Sequence, residues 1–389
     1  MNTTFATLIN VYPTAEALVA YLKSPDGGRL CVRDYRAPGD AYVVIYYDKE
    51  TSDMNHINTS FFRSIVWNMD TNRPACISPR HGAPFSQTLS TGWTAEELVD
   101  GVMINMFYDP KLENWQIASR TQLGATGNFY GNRPFDELFH ETCKVQGIDL
   151  TALPKDLCYS FVLNHPEERI VVPALYGTPT LTLVESYRID PATGGYTKVD
   201  ATFENVKKPV TFPTLETLEG VVLYVAAREA ADRHSFQGVI LKTATGHTKL
   251  RSKLYMHARY LRGNQAKLPF HWLHLWSSSA YVFKSYLDIY PEEEVAAQGV
   301  IENFKGCTQQ FHDLYVEIYK KHTLPLGSAP QKYRKLIWEA RQQNLAAYFP
   351  VLRDFMNRQD TARKLWLINY EVRYAPKEMA EVAETVVTA

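Results

Sequence analysis

The sequence predicts an α+β fold in which a strand-rich N-terminal region precedes a helical C-terminal region. Between about residues 29 and 255, short β-branched and aromatic runs alternate with turn residues, a pattern typical of strands. After about residue 264, apolar residues recur every three or four positions, as in amphipathic helices. The chain has 389 residues, of which 45% are hydrophobic, so it can form two domains with real cores. We predict domains at residues 1–262 and 263–389.

The N-terminal region is predicted to contain two short helices among many strands. Thr14 can cap a helix over residues 14–23, which the turn Pro25-Asp26-Gly27-Gly28 ends. A second helix should begin after Arg133-Pro134 and reach about residue 146. The predicted strands cover residues 29–36, 41–47, 64–68, 102–108, 115–119, 159–163, 169–174, 181–187, 220–226 and 238–242.

The C-terminal region is predicted to contain at least three amphipathic helices separated by prolines. Four tryptophans lie in this half, and we expect them to pack in its core. The alternative is that they form interfaces with protein partners. The residues that mark the three helices are Phe304, Cys307, Phe311, Leu314 and Ile318, then Tyr333, Ile337 and Ala340, then Leu365, Ile368 and Val372; the tryptophans are Trp272, Trp276, Trp338 and Trp366.

The charge distribution is uneven although the formal net charge is only −1. From Arg233 to Leu287 the sequence has no Asp or Glu. A positive surface directed at phosphates would explain this composition. Chance clustering on a solvated face is the alternative. The basic residues of the segment are Arg233, Lys242, Lys249, Arg251, Lys253, Arg259, Arg262, Lys267 and Lys284.

Cysteine usage and the absence of targeting signals predict an intracellular protein, either cytoplasmic or virus-associated. The five cysteines are scattered and odd in number, which favours reduced thiols over a disulfide framework. His140-x-x-Cys143 has no second pair at zinc spacing, so we interpret it as structural. No signal-peptide pattern and no run of 18 apolar residues occurs, so we expect neither secretion nor a membrane partner.

A series of short motifs occurs in a recognisable order. Asp100-Gly101 opens the apolar strand 102–108, at a turn where Lys-x-Asp-Gly would carry a covalent nucleophile. The motifs lie in segments 63–67, 72–80 continuing to Phe85, 98–101, 115–120 with Leu123-Gly124, 161–171, 218–222 and 249–255. In this order they resemble the phage-type ATP-dependent RNA ligases of the covalent nucleotidyltransferase superfamily, in a divergent branch like that of large DNA viruses.

The resemblance implies an antiparallel-sheet nucleotidyltransferase domain that uses ATP, Mg²⁺ and RNA. In that family a lysine takes AMP from ATP, the AMP passes to an RNA 5′-phosphate, and a 3′-hydroxyl displaces it. By motif match, Lys249 would contact the α-phosphate and Glu219 would hold the metal. Arg251 stands where the second motif lysine is expected. The predicted catalytic residues are therefore Glu219, Lys249 and Arg251.

The same comparison predicts a nucleotide-binding set at the Asp-Gly turn. Asp100 and Gly101 would shape the turn. Pairing of residues 103–108 with 115–120 would place Arg120 beside Gly101, where its guanidinium can bind ribose or phosphate. Arg169 matches the Arg of an Arg-Ile-Val step and is either structural or functional.

The departures from the family pattern concern the chemistry itself. Leu98 stands where the nucleophilic lysine is expected, and Val162 stands where a glutamate would contact the ribose. Lys111 lies in the loop at the far end of the seven-residue strand 102–108, so it should be roughly 23 Å from the Asp100-Gly101 turn. Lys242 and Lys249 stay open as replacement amines.

Three functions remain open from the sequence. The first is an RNA ligase, active or degenerate, that joins RNA 5′-phosphate and 3′-hydroxyl ends by adenylyl transfer. The second is an inactive pseudoligase that binds RNA or nucleotide, as the loss of the lysine would favour. The third is a viral structural or assembly protein whose helical domain contacts protein partners.

Overall fold

The computed structural model divides the chain into two compact units, Met1–Tyr260 and Leu261–Ala389. It describes residues 5–35, 41–82, 85, 92–243 and 246–374. The first unit contains all the strands of the described residues, and the second is helical. The predicted fold class, α+β with antiparallel sheets followed by a helical region, is confirmed. The assignment of separate domain functions stays a prediction.

Three antiparallel sheets form the first unit. The four-stranded sheet has the order β1-β2-β3-β4, the five-stranded sheet β10-β9-β8-β6-β7, and the three-stranded sheet β12-β11-β5. The strands are β1 (Cys31–Asp34), β2 (Tyr42–Tyr46), β3 (Ile65–Asn68), β4 (Arg73–Ile77), β5 (Thr94–Glu97), β6 (Val102–Asp109), β7 (Asn114–Ala118), β8 (Leu157–Asn164), β9 (Thr180–Ile189), β10 (Tyr196–Val199), β11 (Gly238–Lys242) and β12 (His247–Arg251).

Helices cover the outer faces of these sheets. Thr14 caps α2 by accepting from Ala17 N, as predicted, and α4 follows Pro134. The division between the two units falls within α6. The helices that begin in the first unit are α1 (Phe5–Val11), α2 (Ala15–Lys23), α3 (Ile57–Phe61), α4 (Phe135–Gln146), α5 (Leu218–Asp232) and α6 (Lys253–Arg262).

Most predicted strands are present, with shifted ends, but two predictions were wrong. Residues 220–226 lie in α5, because Thr217 caps the segment and Val221 and Val225 share one buried helix face. Residues 169–174 contain no strand. Their backbone amides are used elsewhere, as described below. Arg36, the end of the first predicted strand, lies outside the described residues.

The second unit is a group of helices around one apolar core. Its largest buried rings include Tyr286, Tyr290, Tyr315 and Tyr333. Trp272 is buried and Trp338 is 52% exposed. The helices are α7 (Leu268–Ser278), α8 (Ala280–Ile289), α9 (Glu294–Val316), α10 (Gln331–Gln342), α11 (Phe349–Asn357), α12 (Thr361–Ile368) and α13 (Tyr370–Tyr374).

Buried charges in the second unit are paired. Arg262 Nη1 donates to Tyr286 Oη at 2.5 Å and forms an ion pair with Glu293. Lys364 donates to Ser277 Oγ at 2.7 Å and to the Asn357 carbonyl at 2.6 Å. Such contacts make burial of a charge tolerable.

Among the described residues, no single helix combines the length and apolarity needed to cross a bilayer; α1 and α2 pass that test only as a sharply bent pair.

Candidate nucleotide site

A cavity of about 350 Å³ lies within the first unit, lined by the five-stranded and three-stranded sheets. Leu98, Asp100 and Gly101 form one edge of it. This volume lies within the range of pockets that hold small-molecule ligands. Other lining residues come from β6, β8, β9, β11, β12 and the segment after β7, with Arg63 and Pro79 beside the four-stranded sheet.

Strand alternation directs the charged residues of the three-stranded sheet into the cavity. Lys242 pairs with His247, Ile240 with Lys249, and Gly238 with Arg251. Since side chains alternate along a strand, His247, Lys249 and Arg251 share one face of β12. The opposite face is apolar and packs Val239 and Leu241 against Val221 and Val225 of α5. The sheet therefore has one charged cavity face and one core face.

The Asp100-Gly101 turn is held rigidly at the edge of the cavity. Asp100 Oδ2 accepts from the amides of Val171 and Val172 at 3.0 and 2.9 Å, and Oδ1 accepts from Tyr255 Oη at 2.7 Å. Gly101 has φ +149°, and a Cβ there would lie 2.3 Å from the Leu163 carbonyl oxygen. The carboxylate of Asp100 therefore organises the turn and the loop after β8.

A second turn of the same kind opens β11. Gly238 has φ +140°, and a Cβ there would lie 2.1 Å from the Leu250 carbonyl oxygen. When the side-chain amide of Gln237 is oriented to suit its neighbours, Nε2 donates to the carbonyl oxygens of Leu98 and Val99 at 3.0 Å each. Leu98 N in turn donates to the Gly238 carbonyl at 3.0 Å. An ionised glutamate could not make the Gln237 contacts, because it has no proton to donate.

Three basic residues line the cavity and have no partner among the described residues. We call Arg63, Lys249 and Arg251 the basic cluster; all three line the cavity. Within the described part of the chain, no side chain or carbonyl accepts a hydrogen bond from any of them, and no carboxylate pairs with them at ion-pair distance. The cluster therefore presents uncompensated positive charge to whatever enters.

The cluster changes the titration of its own lysine. Burial, followed by the charges of Arg63 and Arg251, lowers the pKa of Lys249 to about 7. Burial and Lys249 lower the pKa of His247 to about 3, and burial with Arg63 lowers that of His81. These histidines are therefore neutral at neutral pH, and Lys249 is divided between charged and neutral forms.

Lys242, Glu185 and Arg120 also line the cavity, and each of them has a protein partner. Lys242 donates to Glu96 Oε2 at 2.5 Å and lies 3.7 Å from Glu185 Oε1. Burial would raise the pKa of Glu185, but Lys198 and Lys242 outweigh it and hold that pKa below its ordinary value. Arg120 donates from Nη2 to the Tyr47 carbonyl at 2.7 Å and stacks on the Tyr47 ring.

Few carboxylates among the described residues are available to hold Mg²⁺ at the cavity. No group of three or more His, Cys, Asp or Glu side chains converges among them. Asp100, Glu96 and Glu185 line the cavity but contact protein donors or lysines. Mg²⁺ is usually held by one or two carboxylates together with substrate phosphates, and Glu97 is the described carboxylate at the cavity that has no side-chain partner.

The structure brings five of the seven predicted site residues to one cavity: Asp100, Gly101, Arg120, Lys249 and Arg251. Arg120 lies beyond the paired part of the hairpin, which ends at Asn105 and Ala118. Arg169 is outside the lining; it is buried and its Nε donates to the Val171 carbonyl at 2.9 Å. It stabilises the loop whose amides bind Asp100.

The structure does not bring Glu219 to the cavity. Glu219 is exposed in the first turn of α5 and does not line the cavity. The motif was assigned to Leu218–Val222 as a strand, whereas the segment is helical. Gln237-Gly238-Val239 is the sequence that opens a strand next to β12, with Gln where the motif has Glu.

Several residues of the cavity were missed or undervalued from the sequence. From the sequence, Arg63 was only the first residue of the motif segment 63–67. Lys242 was predicted only as a possible replacement for the missing nucleophilic lysine. Glu96, Glu185 and His247 gave no motif signal. Their period-two placement on strands is the signal that could have found them, once the strands were known.

Comparisons with known proteins agree with the motif series. Over 144 residues the chain is 28% identical to an RNA ligase of Rhodothermus phage RM378, and the match covers 33% of this chain. It covers 32% of the phage protein, so this chain matches about a third of that ligase's length. No model of a known protein family matches the chain. The predicted resemblance to RNA ligases is confirmed.

Solved structures give a fainter similarity. One form of an archaeal ATP-dependent RNA ligase has a TM-score of 0.39 at 10% identity, covering 78% of this chain and 82% of the other. A second form has a TM-score of 0.38 at 11% identity, covering 91% and 97%. Both scores are below 0.5, and the resemblance therefore depends on the sequence match and the motifs.

Proposed function

We propose that the first unit binds ATP in this cavity and that the chain is an RNA-ligase-like protein acting on RNA 5′-phosphate ends. The observation that carries the proposal is the basic cluster, three cationic side chains without a described partner at one cavity. A ligand with phosphate groups would supply the missing negative charge.

The energetic reason is the cost of leaving the cluster uncompensated. Like charges repel strongly where burial reduces screening, and burial together with repulsion from Arg63 and Arg251 lowers the pKa of Lys249. Arginine forks bind phosphate oxygens through two parallel hydrogen bonds, so Arg63 and Arg251 suit a polyphosphate. A nucleotide bound here would place its phosphates against β12 and its remaining part near Leu98 and Val162.

Position 98 limits the chemistry that follows binding. A leucine has no lone pair to attack phosphorus, so the usual route to a lysyl-adenylate is closed at that residue. The second candidate function is therefore a non-catalytic protein that binds nucleotide or RNA. Leu98 in the cavity lining is the observation that favours it.

Equilibrium binding tests the proposal. ATP, inorganic triphosphate and adenosine would be titrated separately into the purified chain by calorimetry, with and without Mg²⁺. We expect ATP and triphosphate to bind and adenosine to bind much more weakly. Arg63→Met should weaken ATP binding by about 10- to 100-fold, as for loss of a charge-assisted contact.

A matched variant controls for general loss of positive charge. Lys111→Met removes an exposed lysine that pairs with Asp70 at 2.7 Å, outside the cavity. It should leave ATP affinity unchanged. No measurable ATP binding to the wild-type chain would refute the proposal, and equal losses in the two variants would show non-specific attraction only.

RNA recognition is tested with one oligonucleotide in two forms. A single strand with a 5′-phosphate should bind more tightly than the same strand with a 5′-hydroxyl, and ATP should compete with the phosphorylated form. Equal affinity for the two strands would contradict recognition of the RNA 5′-phosphate.

A further inference from the structure

The cavity holds an amine that faces the same space as position 98. We infer that Lys249 is the nucleophile of this protein and accepts the adenylyl group from ATP in place of a lysine at position 98. The inference rests on the proposed binding of ATP.

Strand register places Lys249 within reach of the space beside Leu98. Leu98 N bonds to the Gly238 carbonyl, and Gly238 pairs with Arg251. Lys249 is two residues from Arg251 on β12, and β11 lies between β12 and β5. With strands about 4.8 Å apart and about 3.3 Å per residue, the Cα atoms of Lys249 and Leu98 are about 12 Å apart. Both side chains line one cavity, so each can extend toward a phosphorus atom between them.

The surroundings of Lys249 favour its neutral form. The nearby cations are Arg63, Arg251 and Lys242, and Glu185 is the acid that opposes them. His247 and Arg120 also line this cavity, and Lys249 helps to lower the pKa of His81; burial is the main reason that both histidines are neutral. With a pKa of about 7, about half of the Lys249 side chains carry a lone pair at neutral pH. An ordinary lysine would do so in roughly one molecule in three thousand.

Lys242, the other lysine of the cavity lining, is less suited to attack. Its ammonium donates to Glu96 and to the Val184 carbonyl at 3.4 Å and lies near Glu185. These contacts hold the Lys242 side chain against the protein, away from an incoming phosphate. For Lys249 no described residue plays this part at hydrogen-bond distance.

The chemical step is a simple group transfer. The Lys249 Nζ lone pair forms a bond to the α-phosphorus, and the bond from that phosphorus to the β-bridging oxygen breaks. Pyrophosphate leaves with the bond electrons, and the nitrogen loses one proton to solvent or pyrophosphate. Arg63 and Arg251 face the charge that spreads over the phosphate oxygens. No oxidant or reductant takes part.

Adduct formation tests the inference directly. The chain would be incubated with ATP labelled at the α-phosphate and Mg²⁺, separated under denaturing conditions, and digested for mass spectrometry. We expect a covalent AMP adduct at Lys249. Its initial rate should rise between pH 6 and pH 8, with a midpoint near the Lys249 pKa of about 7.

Two lysine-to-arginine variants separate nucleophile from phosphate ligand. Lys249→Arg keeps a cation but has no competent amine, so ATP should still bind and the adduct should be lost at least 100-fold. Lys111→Arg is the matched control and should form the adduct at the wild-type rate. A Leu98→Lys variant serves as a positive control for the assay.

The outcomes separate this inference from the proposed function. ATP binding by calorimetry without any wild-type adduct from pH 6 to pH 9 would overturn the inference and leave the proposed function standing. An adduct that persists in Lys249→Arg, or that maps to another residue, would overturn it as well. Absence of ATP binding would remove the proposed function and the inference together.

Discussion

Cations in the two units differ in whether the protein supplies their partners. In the second unit, Arg262 and Lys364 are satisfied by protein groups. At the cavity of the first unit, the basic cluster has no such partner among the described residues. Positive charge is balanced within the protein in the second unit and left unbalanced at the cavity of the first. The proposed function would give the unbalanced charge a partner, whereas the paired charge of the second unit already has one.

The largest expected effect is in the second unit, where the pair should be structural. Glu293→Ala removes the acid that contacts Arg262 and accepts from Trp272 Nε1 at 2.9 Å. An unpaired buried arginine should then destabilise the unit by about 3–5 kcal/mol. Hydrogen exchange of the α7 to α9 amides would measure the loss, and ATP affinity should not change. Little change in exchange would contradict the structural role.

For the basic cluster we expect a smaller effect, on ATP affinity and not on stability. Lys249→Met should weaken ATP binding by about 10- to 100-fold, or about 1.4–2.7 kcal/mol. It should not lower the thermal midpoint, because it removes a repelled charge instead of breaking a pair. Calorimetry and a thermal melt on the same preparation would measure both. A lower thermal midpoint with unchanged ATP affinity would show that Lys249 contributes to stability and not to binding.

The pH dependence of stability should also differ between the wild type and Lys249→Met. The folded pKa of Lys249 is about 7, below its unfolded value of about 10.4. Between these values the unfolded chain binds more protons, so stability should rise with pH from 7 toward 10 and fall as pH returns to 7. Melts across this range should show a rise of a few °C in the wild type relative to the variant. Parallel curves would contradict the shifted pKa.

The smallest effect is expected at an ion pair on the surface of the second unit. Lys332 lies 3.1 Å from Glu371, whose side chain is 73% exposed. Glu371→Gln should change the free energy of unfolding by less than about 1 kcal/mol, since solvent screens exposed pairs. Denaturant titration would detect a larger loss, which would show that Lys332 depends on this partner as Arg262 does on Glu293.

Local sequence patterns predicted much of the first unit but not its strand neighbours. The segment Gly238–Lys242 has the bounds predicted for it, and the hairpin of β6 and β7 forms as expected. The short strand β5 was missed because Thr94-Ala95-Glu96-Glu97 has little strand propensity and pairs with β11, which is far away in the chain. Residues 220–226 were misread because a β-branched run can form a helix when a cap and core contacts favour it.

The candidate site was predictable where a motif contains the residue, as at Asp100, Gly101 and Lys249. It was not predictable where a residue reaches the cavity only through the pairing of distant strands, as Glu185 and His247 do. The placement of Glu219 outside the cavity has the same origin, since a Glu-Gly pair identifies a cavity residue only if a strand follows it. The basic residues of the acid-free segment, Arg233 to Leu287, do not form one surface. Lys242, Lys249 and Arg251 line the cavity, whereas Arg262 is buried and pairs with Glu293.

The contacts that hold position 98 in place determine what a substitution there would disturb. Gln237 holds the carbonyls of Leu98 and Val99, the Gly238 carbonyl holds the Leu98 amide, and Asp100 is fixed from its other side. None of these contacts involves the Leu98 side chain. Replacing Leu98 by lysine would therefore leave these main-chain contacts in place and add an amine to the cavity lining.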